Sequence, residues 1–463
     1  MDKVNLVCHA TVVTMDAERR ILSDGAIAWS GERILDVGKS AELMARYPQA
    51  ERIDATGCIA TPGFVDAHNH PAHFLTKGLF DDIEPVRRWR TRLYPFECAV
   101  SEEETYWGAL GTFAEMLIHG TTCVADPGNY HPQAVARAAE RIGIRIVLTG
   151  AISDTYDPMR PISGDFRPTP EEAAAYNERL FLDWNGAAAG RIRVAFGLWT
   201  ANSVSDELCV RIRDHAERHG AVIHGHLVSR PADNEAVLAK WGCRAVVRYH
   251  RLGLIRKNFV AAHMGAIDEA EVDLFAKHGA SVVHCPSASM LGAFGCISHG
   301  KFPELDAAGV NLALGSDAAA ISRFLDMPRL MYLAACAHKD ARMDAEVMGA
   351  HRAMVMGTVG GARAFDLDEE IGSLEAGKRA DFCLLRAQGI EWQPRPALNP
   401  VANLVYSSGG YRTSLVVVDG RTLVSEGRLL SMNEHEIVER AAVASRSAAE
   451  RAGIPEVTVW PVV

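Results

Sequence analysis

The sequence predicts an α/β fold: a (β/α)8 TIM barrel carrying a small β-sandwich formed by both chain ends. Three observations predict it. Between Gly57 and Asp317, short apolar runs alternate with long helical stretches, which is the pattern of βα units. Residues 1–59 and 370–463 have another texture, short β-rich runs separated by turns. Imidazole and carboxylate groups follow five of the apolar runs, at the strand ends where a parallel barrel collects its active site. The 463 residues suit one large barrel, placed at 60–369, plus an appendage.

The elements follow in order. Asn5–Val13 and Gly25–Trp29 read as strands, Ser30-Gly31-Glu32-Arg33 as a hairpin turn, Ile34–Val37 as the return strand and Ser40–Tyr47 as a helix. Eight runs then supply the barrel strands: Ile59–Phe64, Thr121–Ala125, Ile144–Leu148, Ile192–Phe196, Ala221–Ile223, Phe259–Ala262, Ser281–Val283 and Val310–Leu314. Eight is the number a closed barrel needs. Asp381–Leu385, Ser414–Val418, Thr422–Val424 and Gly427–Leu430 complete the strands of the chain ends, with a turn at Asp419-Gly420. Residues 432–452 read as a helix with Glu434, Glu436 and Glu439 on its polar positions.

Composition removes several function classes. Hydrophobic residues make up 48% and charged residues 23%, so a sizeable core forms without disulfides or structural metals. The formal net charge of -10 and the lack of a long Lys/Arg cluster argue against nucleic-acid binding. The short stretch Arg87-Arg88-Trp89-Arg90-Thr91-Arg92 follows Asp81, Asp82 and Glu84 and reads as a solvated or salt-bridged helix face. None of the ten Cys forms a CxxC pair, so buried free thiols in a reducing compartment are expected. The absence of a leader pattern at Met1-Asp2-Lys3-Val4 and of any apolar stretch of about 18 residues points to a cytoplasmic protein.

The chemistry lies after the runs. The first ends in Asp66-Ala67-His68-Asn69-His70, the fifth in His224-Gly225-His226, the sixth in His263, the seventh in His284-Cys285-Pro286 and the eighth in Gly315-Ser316-Asp317. His68 and His70 are two apart, a spacing that on a strand points both rings to one side. A single histidine in such a run is ordinarily a core residue with a satisfied hydrogen bond. An HxH pair in register with further His and Asp groups around a barrel is instead a donor set for a borderline divalent ion. His68, His70, His226 and Asp317 would be the ligands of one such ion, zinc or alternatively iron. The ion would lower the pKa of a water bound at an open coordination position towards about 7.

The sequence resembles the amidohydrolase superfamily, in its triazine hydrolase and deaminase branch, over nearly the whole chain. The marks are Thr61-Pro62-Gly63-Phe64-Val65-Asp66-Ala67-His68-Asn69-His70, His119-Gly120-Thr121-Thr122, His284-Cys285-Pro286, Phe302-Pro303-Glu304-Leu305 leading to Leu314-Gly315-Ser316-Asp317, and Gly372-Ser373-Leu374-Glu375-Ala376-Gly377-Lys378-Arg379-Ala380-Asp381. The resemblance implies that His68, His70 and His226 are ligands and that Asp317 is a ligand that also takes a proton from the water. It implies that His263 orients the nucleophile or polarises the substrate. His224 shares the strand side of His226, and the family pattern makes the second of the two the ligand. His284 has a pocket or a structural role, whereas His73, His131 and His299 read as loop residues of no special role. Trp89, Trp199, Met290 and Phe294 fall in or near the loops of an apolar pocket.

One departure matters. In this branch a Glu stands three residues after the third metal histidine and protonates a ring nitrogen; here that position is Ser229. The pattern HCPxSN likewise ends in Ser289. Hydrolysis of an amide or urea carbonyl does not need that acid. The reading from sequence is therefore a metal-dependent hydrolase of a small amide or urea, aryl-substituted as in phenylurea hydrolases, with Trp89, Ser229 and His284 contacting substrate. The alternatives are a deaminase or dechlorinase of an N-heterocycle and a non-catalytic barrel scaffold. The partner is a small molecule, with no nucleic acid or membrane and with pairing into a homo-oligomer through exposed barrel helices.

Overall fold

A computed structural model describes residues 3–128, 131–151, 153–155, 168–394, 398–409, 412–455 and 460 of the chain. The last part of the chain-end segment, 456–459 and 461–463, lies outside them. Eight parallel strands run in sequence order around a barrel: Phe64–Asp66, Thr121–Ala125, Arg145–Thr149, Ile192–Thr200, Ile223–His226, Phe259–Ala262, Ser281–His284 and Leu312–Leu314. The first and last are tied just beyond their ends, where Ala67 N donates to Leu314 O at 2.8 Å and Asp317 N to His68 O at 2.7 Å. Strands such as Thr121–Ala125 and Phe259–Ala262 are buried at every position. Helices cover them outside and side chains fill the barrel inside, which is why they read as continuous apolar runs rather than alternating ones.

The outer helices carry their own start and stop signals. Glu102–Ile118 begins at a Ser101/Glu104 capping box. Pro132–Ile142 begins with proline, buries Val135, Ala138, Ala139 and Ile142, and stops at Gly143 in the left-handed conformation.

The run Ile59–Phe64 is not one strand. It divides at Gly63: Cys58–Pro62 pairs antiparallel with Phe382–Arg386, and Phe64–Asp66 opens the barrel. A Cβ at Gly63 would collide with the Thr122 side chain, so only glycine lets the chain pass between the two sheets here. The chain ends form one nine-stranded sheet. Val4–Val13, Ile21–Ser30 and Arg33–Lys39 lie on one side of the Cys58–Pro62/Phe382–Arg386 pair, with Glu51–Asp54 against Val4–Val13. Leu415–Val418, Arg421–Ser425 and Arg428–Leu429 lie on the other. Val7, Ile27, Trp29, Phe382 and Val417 share a single apolar cluster, so both ends of the chain build the same core. Both expected hairpins form, with Gly31 at φ 53 and Asp419-Gly420 at φ 52 and 75.

The sheet is fastened to the base of the barrel by a buried ion cluster. Arg145, the first residue of the third barrel strand, is 1% exposed. Its Nε donates to Asp381 Oδ2 at 2.9 Å, and its Nη2 donates to Asp381 Oδ1 at 3.1 Å and Asp419 Oδ1 at 3.2 Å. The helix expected at 432–452 spans Glu434–Arg451 and buries Ala441, Ala444 and Ala448. All ten cysteines are free. No helix among the described residues is long and apolar enough to cross a membrane.

Candidate metal centre

Four strand ends deliver five groups to the barrel mouth. His68 and His70 follow the first strand, His226 ends the fifth, His263 follows the sixth and Asp317 follows the eighth. The first strand ends at Asp66, so the HxH pair stands on the bend beyond it rather than within it. The two rings still meet, with centroids 5.4 Å apart and planes at 87°. His263 (φ 77) and Asp317 (φ 60) sit in the left-handed region, a conformation costing about 1–3 kcal/mol for residues other than glycine and concentrated at functional sites.

The imidazoles are aimed by bonds to their outer nitrogens. His226 Nδ1–H donates to Trp199 O at 2.7 Å, and His70 Nδ1–H donates to Gly128 O at 3.2 Å. His68 Nδ1 lies 3.0 Å from His224 Nε2. His224, whose role the sequence left open, therefore stands behind His68 and orients it, as outer partners of ligating histidines do. All three ligand candidates thus present Nε2 inward. His70 Nε2 and His226 Nε2 are 3.2 Å apart, and Asp317 Oδ1 lies 3.7 Å from His68 Nε2 and 3.6 Å from His70 Nε2. His263 Nε2 is 3.9 Å from Asp317 Oδ2.

Burial sets the protonation states. His68, His70 and His263 are held well below the ordinary imidazole value by desolvation and by the neighbouring rings, so they are neutral and carry free lone pairs. Burial pushes Asp317 up to about 7 in the ion-free protein. His68 Nε2 is buried with no hydrogen-bond partner. An orphaned lone pair among neutral imidazoles and a carboxylate fits a divalent cation and fits little else. A second carboxyl, Asp66, braces the arrangement: its Oδ1 accepts from Ser316 N at 3.0 Å and from His68 N at 3.3 Å.

A narrow hollow lies over this cluster, walled by Trp89, Tyr94, Trp199 and Phe294 and bordered by Ser229. An adjoining one adds Asn202, Arg230 and Asp233. Trp89 and Ser229 line both. His284 stands apart from them: it is fully buried, 3.0 Å from His338 Nε2, and packed on Phe302 at 3.8 Å between ring centroids. Met290 is 53% exposed and lines neither hollow. The Arg-rich stretch is not wholly a solvated face, because Arg88 is buried and its Nη2 donates to Gly292 O at 3.3 Å.

Sequence reasoning missed one pair. His73 was read as a loop residue, yet its ring stacks on His70 at 5.2 Å and its Nε2 lies 3.1 Å from Glu97 Oε1, both residues buried on the pocket wall. The only signal was position: His73 falls one turn after His70, in the 3-10 turn Pro71–Thr76.

The model of the amidohydrolase family matches residues 59–423 of the chain. A 5-methylthioadenosine/S-adenosylhomocysteine deaminase of Syntrophobacter fumaroxidans is 32% identical over 446 residues, covering 96% of this chain and 98% of the relative. An adenosine deaminase from Xanthomonas campestris, solved with bound zinc, superposes with a TM-score of 0.89 at 28% identity, covering 97% and 98% of the two chains. A zinc complex of atrazine chlorohydrolase from Arthrobacter aurescens TC1 superposes with a TM-score of 0.85 at 23% identity, covering 95% and 99%, a likeness of fold.

Proposed function

The chain belongs to the amidohydrolase family, as a metal-dependent hydrolase of C–N bonds, and within it we propose that it releases ammonia from an amino group on a planar N-heterocycle of the aminopurine type. The observation that carries this reading is the convergence of His68, His70, His226 and Asp317 beneath the aromatic walls Trp89, Trp199 and Phe294. The full-length likeness to adenine-nucleoside deaminases reverses the order of the two readings drawn from sequence alone.

His68, His70, His226 and Asp317 would hold a divalent ion, which would supply an acidified water as nucleophile. The protein does the rest. Asp317, a carboxylate beside the inward-facing imidazoles, takes a proton from the attacking water and passes it to the departing nitrogen. His263, against Asp317 Oδ2, orients the nucleophile. The ring stacks among Trp89, Trp199 and Phe294. The hollows measure about 40 and 50 Å³, room for a water or two each, so the pocket must widen to admit a ring.

The ring-nitrogen proton needs a source other than Ser229. Asp233 stands one helical turn further on, its Oδ2 accepting from Ser229 N at 2.8 Å and Arg230 N at 3.1 Å. Desolvation raises its pKa above the ordinary carboxylate value, against Arg230 Nε 3.5 Å from its Oδ1. We assign it that role. Ser229 itself favours the second reading, hydrolysis of an amide or urea bond, where no ring nitrogen is protonated.

Zinc-loaded protein is to be assayed for ammonia on 5-methylthioadenosine, S-adenosylhomocysteine, adenosine and an aminotriazine, and for amine release from aryl amides and ureas. Ammonia from an adenine nucleoside is expected, with Asp233→Asn lowering kcat by about 100-fold or more. Amine from a urea or amide with no ammonia would establish the second reading. No turnover on either panel would leave the scaffold.

A further inference from the structure

Helix Pro170–Trp184 and helix Asp206–His219 pack together outside the fourth barrel strand. His215 and His219 are four apart on the second helix, so they share a face. Glu178 reaches them from the first. Its Oε1 lies 2.8 Å from His219 Nε2 and 3.2 Å from His215 Nδ1. The three candidate donor atoms all fall within 4.8 Å of one another.

We propose that Glu178, His215 and His219 form a second divalent-metal site, for a borderline ion such as zinc or copper(II), on the helical wall of the barrel. Two imidazoles at i and i+4 chelate from one helix, and the carboxylate closes the site from the next. Zinc holds nitrogen and oxygen ligands at about 2.0–2.2 Å, so tetrahedral neighbours stand about 3.3–3.5 Å apart, and the two carboxylate–imidazole separations would open by roughly 0.1–0.7 Å to admit the ion.

Two observations go beyond an ordinary His–Glu contact. His215 Nδ1 is shielded from solvent and lies 3.2 Å from the same Glu178 Oε1 that His219 Nε2 meets, so both rings aim a nitrogen at one carboxylate oxygen. The rings are also held in place: His219 packs between Phe181 at 4.7 Å and Phe196 at 5.8 Å, and His215 lies 6.1 Å from Phe196. The side chains keep 27%, 16% and 20% exposure for Glu178, His215 and His219, which leaves water a fourth position. Arg218 Nη1, 3.1 Å from the same Oε1, is the competitor; its side chain is 60% exposed and can turn outward. An ion here would clip two neighbouring helices together, independently of the barrel mouth.

The test is zinc stoichiometry after equilibrium dialysis of the full chain against buffered Zn²⁺, with melting temperature followed in parallel. The wild type should hold one zinc per chain more than His215→Ala/His219→Ala, and its melting temperature should rise over the zinc range that fills the extra site. Activity of the double variant should be unchanged. Glu178→Gln, which keeps the packing, should weaken the extra zinc by more than about 10-fold, the least seen on losing even an outer partner of a ligand. Equal zinc content in wild type and both variants overturns the proposal. So does an extra zinc that survives in the double variant.

Discussion

Two buried polar clusters occupy opposite ends of the same barrel, and they are built on different rules. At the base, Arg145 faces two carboxylates, and both oxygens of Asp381 accept: Oδ2 from Arg145 Nε, and Oδ1 from Arg145 Nη2 and from Asp419 N. At the mouth, three histidines spend their outer nitrogens on a carbonyl or another ring and leave the inner ones pointing at each other. The base cluster closes on itself and joins the sheet of the chain ends to the barrel. The mouth cluster leaves His68 Nε2 without a hydrogen-bond partner. Both are buried, so burial does not separate them; what does is whether the polar atoms find their partners within the chain.

That contrast breaks most sharply at Asp317. Replacing it by Asn keeps its size and removes its basicity, so kcat should fall by about 10²–10⁴-fold while the melting temperature changes little. A steady-state assay beside a thermal melt measures both. The reverse pattern is expected at the base. Asp381→Ala leaves a guanidinium that was 1% exposed facing one carboxylate fewer, which should cost about 3–5 kcal/mol in stability with activity per folded molecule retained. Urea unfolding gives that difference, and an activity loss without a stability loss would merge the two clusters into one machine.

A smaller effect is expected from pH. In the ion-free protein Asp317 holds its proton up to about 7, against an ordinary 3.8. Zinc requires the carboxylate, so protons compete below that value. Affinity should rise with pH up to about 7 and fall by about tenfold per unit below it, a dependence titration calorimetry at several pH values would record and Asp317→Asn would flatten.

The sequence disclosed the barrel because its strands are buried on both faces and its helices carry local caps, so the pattern is written along the chain. It pointed to His68, His70, His226 and Asp317 because they stand at or just beyond the ends of such strands. Pairings across the fold left little local trace. His73 meets Glu97 only after a 3-10 turn and three short helical segments bring the chain back to it. Arg145 and Asp381 are 236 residues apart. His284 was quoted in a motif, but its partner His338 lies 54 residues on, in a helix whose sequence says nothing of the barrel interior. The run Ile59–Phe64 looked uniform because hydropathy does not register the sheet to which each half belongs.

Whether the mouth cluster holds a divalent ion decides how the whole site is read. Anomalous diffraction at the zinc edge, on crystals of zinc-loaded protein, tests it most directly. A peak about 2.0–2.2 Å from Nε2 of His68, His70 and His226 and from a carboxylate oxygen of Asp317 is predicted. Zinc-soaked crystals with no anomalous density among those four residues would contradict it.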